Sequence, residues 1–415
     1  MTARPLRVCV DARLADGVAG GIQQFVMGLA SGLSRLEGPE EYLFLSRPEH
    51  RAWLTPHLSG PCRALDAASA AAPTFAAVRL ARRALDSFAL SRLGGVLPVR
   101  VAASDGTVER SGAEVMHFTA QGGFTTGVPS IYQPYDLQHV HLPQFFPPYA
   151  RKWRDVVYAA LAAQARSVVV MSSWVRDDVV RHLALPPDKL RVIPWAPVTE
   201  EYAEPAPADL ADARLRLALP DAFAIYPAQT FPHKNHLALA EAVDAARRRG
   251  VAVHVVCPGK ETEHFDRVRR HVRKLGLEES MRFLGYVSPL DLRCLYRLAR
   301  FLVFPSLFEG GGMPVFEAFA ADVPVACSNV TCLPRQAGGA ALLFDPRDRG
   351  AMADAMIRMW EDATLRADLV QRGRQRVERF TWDRTARIYR AHYRQIAGRT
   401  LTAEDRALLD APPDT

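Results

Sequence analysis

Between residues 223 and 345, short apolar runs recur at nearly regular intervals: FAIYPAQ, VAVHVVCPG, MRFLGYV, RFLVFPS, VPVACS and ALLFDP. Runs of this length bounded by Gly and Pro are too short for helices and read as buried strands. The segments between them, 236–249, 263–275, 289–299 and 314–321, carry apolar residues at helical spacing. Strands that alternate with helices in this way build a parallel sheet with helices packed on its faces, a Rossmann-like unit.

The first half of the chain repeats the plan. LRVCVDARL, residues 6–14, leads into a Gly-rich turn, DGVAGGIQQ. A helical run follows, with Ile22, Phe25, Val26, Leu29, Leu33 and Leu36 on one face, and then the strand-like YLFLS. EVMHF, SIYQP, SVVVMS and LRVIPW supply four more strand-like pieces, while residues 60–95 are Ala/Arg-rich and mostly helical in pattern. VTEEYAEPAPADLADA, rich in Pro and acidic residues, reads as a linker. The expected fold class is therefore α/β, with one Rossmann-like domain over 1–200 and another over 216–377. Sheets of this kind bind ligands beyond the carboxyl ends of their strands, so the reactive cleft is expected between the two. Helices are expected over 350–377 and 383–397, and 401–415 is expected to be a loose tail.

Totals agree with this division. At 415 residues, 49% hydrophobic and 23% charged, the composition is that of a globular chain with two or three cores. No run of 18 apolar residues occurs, and the first residues enter a strand without the pattern of a signal peptide. Six scattered cysteines without a C-x-x-C pair suggest reduced, buried thiols and a cytoplasmic protein. The net charge of +7 suits an anionic substrate or membrane surface. Nucleic acid is the poorer partner, because no aromatic-interleaved basic stripe accompanies the charge.

The stretch most informative about chemistry is RFLVFPSLFEGGGMPVFEAFAADVPVACS, residues 300–328. A buried strand ends in PSLFE; three glycines follow, then Met313 and Pro314, where proline suits a first helical turn. Gly310, Gly311 and Gly312 permit close backbone approach, and amides at a helix start attract an anion. Glu317 lies one turn into that helix, placed to accept hydrogen bonds from ribose hydroxyls. Glu309 lies on the other side of the glycines, where a sugar would lie.

The sequence EGGGMPVFE resembles the E-x7-E motif of retaining glycosyltransferases of the GT4 family, which have the GT-B fold of two Rossmann-like domains facing a central cleft. An aromatic residue is more usual in the family where Gly311 stands. IYPAQTFPHKNHLALAEAV resembles the family's donor-diphosphate segment. The resemblance makes Lys234 the residue that neutralises the departing diphosphate, with Asn235 as a cap for the helix that follows. An arginine is usual a few residues earlier; Ala228 and Gln229 stand there, leaving His233 as a further donor-side contact. SIYQPYDLQHVHLPQFF resembles the acceptor-side loop, with Asp136 in place but Tyr135 where a histidine is frequent. Gly20 and Gly21 fit the N-terminal glycine loop of the family. MRFLGYVSPLDL resembles the base-holding strand, assigning Phe283 and Val287 there. FTWDRTARIYRAHY, within 378–400, resembles the C-terminal helix that returns to the first domain.

The resemblance implies transfer of a hexose from a nucleotide-diphosphate sugar, GDP-mannose in first place and a UDP-sugar next, with retained configuration. The acceptor would be a saccharide or a lipid-linked saccharide of surface polysaccharide synthesis. Lys234 and Glu309 would act at the reaction centre with Tyr135 and Asp136, while Gly311, Gly312, Met313 and Glu317 would hold the donor. No cofactor and no metal are expected; Asp136, His139 and His141 lack a common face to form a metal site. A sugar-nucleotide epimerase and a non-catalytic sugar-nucleotide binder remain as alternatives. The run VRLARRALDSFALSRL, residues 78–93, mixes Arg and apolar residues and offers peripheral contact with an anionic membrane at the inner face.

Overall fold

The computed structural model describes residues 4–15, 20–67, 99–198 and 204–412. The basic run 78–93 and part of the opening glycine turn, residues 16–19, lie outside them. The chain divides into two compact units: Met1–Trp195 together with Trp382–Asp414, and Ala196–Thr381.

The first unit is built on a seven-stranded sheet. Its order is Cys62–Asp66, Glu41–Ser46, Arg7–Asp11, Val115–Phe118, Ser130–Tyr132, Ser167–Val170 and Leu190–Val192. All pairs are parallel. Chain order reverses between Arg7–Asp11 and Val115–Phe118, as in a doubly wound sheet. VMHF and SVVV are buried along their whole length, as strands covered on both faces must be. Met116, Phe118, Tyr132, Tyr158, Leu161 and Val168 share one core.

Helix Trp382–Ile396 joins this unit and packs on helix Gly21–Ser34. Its polar residues are tied into the sheet. The Tyr393 hydroxyl lies 2.8 Å from His117 Nδ1, Tyr389 donates to Gln133 Oε1 at 2.9 Å, and His392 Nε2 lies 3.0 Å from Ser167 Oγ. The tail differs from expectation. Ala403–Asp410 is a helix, capped by Thr402 and Asp405 in a reciprocal box. Asp405 is buried against Arg394, which also pairs with Glu40 at 2.6 Å. A short polar tail reads as loose until the fold sets the half-buried Arg394 beside its carboxylate.

The second unit has a six-stranded parallel sheet, ordered Met281–Gly285, Val255–Pro258, Ala224–Ile225, Phe301–Phe304, Val325–Ser328 and Ala341–Phe344. Its order also reverses, here between Ala224–Ile225 and Phe301–Phe304. Helix Pro207–Arg216 occupies the second half of the stretch expected as a linker. Asp209 in its first turn accepts from the Ala206 amide, and Arg216 at its end pairs with Asp291 at 2.5 Å, anchoring it to helix Pro289–Leu298. The expected single helix over 350–377 is two, Arg349–Glu361 and Ala363–Val377, because Asp362 leaves the helical conformation and caps the second. All six cysteines are buried and free. Among the described residues no helix is long and apolar enough to cross a membrane.

The cores also make the fold acid-sensitive. Burial lowers the pKa of His117 to about 4, and of His392 and His236 to about 3, from the usual 6.5. An unfolded chain binds protons at these sites below about pH 6.5, whereas the folded chain resists them down to about pH 4. Between those values the unfolded state holds more protons, so stability falls as pH falls. Each group contributes up to about 1.4 kcal/mol per pH unit. Urea unfolding midpoints should therefore drop clearly from pH 7 to pH 5 and change little from pH 7 to pH 8. An equal midpoint at pH 7 and pH 5 contradicts this.

Candidate donor and acceptor sites

In the second unit, the strands Ala224–Ile225 and Phe301–Phe304 flank the reversal point of the sheet, where loops leave in opposite directions and open a crevice. Both candidate donor segments leave the sheet there. The first passes through Ala228 and Gln229 into the single turn Pro232–Lys234, then into helix His236–Arg248. The second passes through Pro305 to Glu309 and the glycines into helix Met313–Ala320. The Leu307 amide donates to the His233 carbonyl at 2.8 Å, and Tyr226 donates to the Lys234 carbonyl at 2.5 Å. Asn235 stands at the helix start but does not cap it with its side chain. It has φ 62° and its Nδ2 donates instead to the carbonyls of Pro305 and Pro346, at 3.1 and 2.9 Å. Asn235 is thus a clasp between loops, because the left-handed backbone turns its side chain away from the helix amides.

These clasps bring Lys234 and Glu309 together. Lys234 Nζ donates to Glu309 Oε1 at 2.6 Å, with the side chains 18% and 12% exposed. The ammonium also lies 5.5 Å from the centre of the Phe304 ring. His233 stands beside it with a pKa lowered to about 2, first by burial and then by the Lys234 charge. His233 is therefore a neutral imidazole at physiological pH, its ring stacked 5.9 Å from Phe231.

The glycine turn is held from behind. Gln336 Nε2 donates to the carbonyls of Gly311 at 2.9 Å and Gly312 at 3.1 Å. In a trans peptide the carbonyl and the following N–H point in opposite directions. Tying these two carbonyls to Gln336 therefore turns the amides of Gly312 and Met313 to the other side. Gly312 has φ 34°, and an added Cβ would meet Leu333 and lie 2.8 Å from Gln336 Oε1. The main chain beside it is pinned as well, with the Glu309 amide donating to Thr331 Oγ1 at 3.2 Å. Four residues into the helix, Glu317 is buried, and its Oε2 accepts from Tyr296 at 2.7 Å.

Gln336, Tyr296 and Thr331 were not singled out in the sequence. Gln336 sits in a five-residue helix, Leu333–Ala337, too short to carry a pattern. The one available signal was a glutamine in an apolar neighbourhood. Phe283 lies on strand Met281–Gly285 with its ring 6.1 Å from that of His236, two residues after Lys234 in the chain. Val287 follows that strand, just before helix Pro289–Leu298.

In the first unit, Gly20 and Gly21 open helix Gly21–Ser34, Gly20 with φ 50°, and both are exposed. Tyr135 does not offer its hydroxyl as expected. It is buried with φ 71°, donates to the Thr119 carbonyl and packs edge-on against Trp195 at 5.3 Å. Burial raises its pKa well above the usual value and keeps the phenol protonated, with its hydroxyl committed to the Thr119 carbonyl. Asp136 Oδ1 accepts from the Gln138 amide at 3.0 Å, which starts the short helix Gln138–His141. His139, His141 and Asp136 diverge: His139 faces Asp155 at 3.3 Å and His141 faces Asp178 at 2.7 Å.

Residues 209–376 match the family model described as glycosyl transferases group 1. O-antigen chain mannosyltransferase B of Escherichia coli is 27% identical over 251 residues, 60% of this chain and 66% of that protein, just under two thirds of its length. Sucrose-phosphate synthase from Thermosynechococcus elongatus superposes with a TM-score of 0.66 at 20% identity, covering 95% of this chain and 99% of that one. Anabaena HepE in complex with UDP and glucose superposes with a TM-score of 0.67 at 14% identity, covering 94% and 100%. Such likeness carries the fold, two Rossmann-like units of GT-B type, and the group 1 domain holds every donor-side residue described above from Gln229 to Gln336. Residues 209–376 are thus a glycosyl transferases group 1 domain, set in a chain of GT-B fold.

Proposed function

We propose that this protein transfers a hexosyl group, mannosyl in first place, from a nucleotide-diphosphate sugar to a saccharide or lipid-linked saccharide acceptor, with retained configuration. The observation that carries the reading is the Lys234–Glu309 pair, 2.6 Å apart at the reversal point of the second sheet and beside an anion-seeking glycine turn. In the reaction proposed, the acceptor oxygen bonds to the anomeric carbon as the bond from that carbon to the diphosphate breaks. The acceptor proton passes to the departing phosphate oxygen. No nucleophile from the protein is needed, so the protein acts through positioning and charge. Lys234 and the amides of Gly312 and Met313 receive the developing negative charge, while Glu317, oriented by Tyr296, receives the ribose. Glu309 holds the ammonium until the diphosphate competes for it, and then faces the sugar. Mannose is favoured by the mannosyltransferase relative, and a uracil nucleotide by the solved structure that holds UDP. The six buried thiols suit a cytoplasmic setting, and the lipid-linked acceptor would place the work at the inner membrane face.

The test is a thermal-shift screen with GDP-, UDP-, ADP- and dTDP-sugars, followed by transfer assays with the sugar that binds. A donor at about 100 times its dissociation constant adds about 2.7 kcal/mol to apparent stability. A rise of several degrees with GDP-mannose, followed by glycosylated acceptor, is the expected result. A new sugar isomer formed without acceptor would point to an epimerase. Binding with no transfer to any acceptor would leave a sugar-nucleotide binder.

A further inference from the structure

A second group of chemistry-bearing side chains lies in the first unit, outside every residue given a role above. His141 closes the short helix Gln138–His141, while Asp178 and His182 stand on one face of helix Ser173–Leu183, four residues apart. Nε2 of His141 is 2.7 Å from Asp178 Oδ1, and Nε2 of His182 is 3.4 Å from the same oxygen. The three donor atoms lie within 4.8 Å of one another, and they form the one such His, Cys, Asp or Glu group found among the described residues. The two imidazole rings stand nearly perpendicular, at 82°, with centres 5.3 Å apart.

The carboxylate supplies the second observation. The Asp178 side chain is 5% exposed, and its other oxygen, Oδ2, is buried without a hydrogen-bond partner. A buried carboxylate oxygen without a partner is costly, and folded proteins almost always satisfy such atoms. A cation held by both imidazoles and gripped by both carboxylate oxygens would supply the missing partner.

The geometry points to one Zn²⁺-class ion bound by His141, Asp178 and His182. Two imidazoles and one carboxylate suit zinc or cobalt; magnesium and calcium take oxygen-only sets. At the usual zinc bond lengths, tetrahedral ligand atoms stand roughly 3.3 Å apart. His182 already meets that spacing, and His141 needs to move outward by about half an ångström. Three protein ligands leave a fourth position for water. The ion would join the end of the loop that carries Tyr135 and Asp136 to helix Ser173–Leu183. The sequence led to no metal expectation, and this group was not legible there because Asp178 is 37 residues further along the chain from His141.

The experiment uses the full chain without an affinity tag, stripped with a chelator and titrated with Co²⁺ and then Zn²⁺. Expected are saturation at one equivalent, visible cobalt absorption of a four- or five-coordinate site, and displacement by zinc. Quenching of Trp174, whose ring lies 5.7 Å from that of His141, is also expected with cobalt. His141→Gln and His182→Gln should each weaken binding by about a hundredfold or more. The exposed His50→Gln should leave it unchanged. Both ligand histidines are 31% exposed, so the variants should keep their far-ultraviolet dichroism and metal-free melting temperature. The proposal is overturned if the unaltered chain shows no saturable binding. It is equally overturned if cobalt gives thiolate charge-transfer bands, or if both variants bind as the unaltered chain does.

Discussion

Replacing Lys234 with alanine is expected to lower sugar transfer by a hundredfold or more, the largest single effect on activity in this protein. In the mechanism proposed, this side chain meets charge that grows only as the diphosphate leaves, and the loss of such a contact costs about 3 to 4 kcal/mol of barrier. The loss should appear in kcat more than in donor affinity, because the same mechanism also gives the ground-state donor the glycine amides. Lys234→Arg should rescue little. A planar guanidinium needs two acceptors in its plane, whereas this ammonium sits end-on to one carboxylate oxygen at 2.6 Å in a site 18% exposed.

Lys234→Ala also leaves Glu309 partly buried without its partner, which costs about 1 to 3 kcal/mol of stability. The double variant Lys234→Ala/Glu309→Gln separates the two effects. It should recover the melting temperature but not the transfer rate. Near-normal turnover by Lys234→Ala with the donor that binds would remove Lys234 from the mechanism. Recovery of turnover in the double variant would make the pair structural only.

A large effect on stability is expected at Gly28, in the first unit. Helices Gly21–Ser34 and Trp382–Ile396 approach so closely that a Cβ on Gly28 would fall inside the Trp382 indole. One turn on, a Cβ on Gly32 would lie 2.7 Å from the Trp382 carbonyl oxygen. The indole has little room to retreat. Trp382 is 1% exposed, with Phe25 6.0 Å away between ring centres, and Phe25 is itself stacked on Trp195 at 4.4 Å.

Alanine in a helix interior gains about 1 kcal/mol over glycine, but overpacking a rigid core costs about 1 to 3 kcal/mol and occasionally more. Overpacking wins here because the clash is with ring atoms held on several sides. Gly28→Ala should therefore lower the melting temperature of the first unit by roughly 3 to 8 °C. Adding Trp382→Phe, which makes room, should return part of the loss. A Gly28→Ala protein that melts no lower than the original would mean that the two helices part more easily than this packing implies.

The features legible in the sequence share one property: each is written in consecutive residues. FLVF and VACS are apolar on both faces and are central parallel strands, buried throughout. EGGGMP announced a strand, a turn and a helix start, and Met313–Ala320 begins where the proline suggested. The alternation of strand and helix was sufficient for two Rossmann-like units, because hydrophobic periodicity is a local signal.

What the linear order could not decide are the pairings between distant residues. Lys234 and Glu309 are 75 residues apart, and only the reversal of strand order brings their loops side by side. Gln336 reaches back to the glycine carbonyls, and Tyr296 to Glu317, from elements with no motif of their own. Tyr135 was expected at the reaction centre, and only the fold placed the Thr119 carbonyl against its hydroxyl. The tail is a helix whose buried Asp405 meets the half-buried Arg394. Periodicity records which face of a segment avoids water, and that was settled residue by residue along the chain. Which polar group meets which is settled by topology and desolvation, since a buried charge must find a partner wherever the fold has put one.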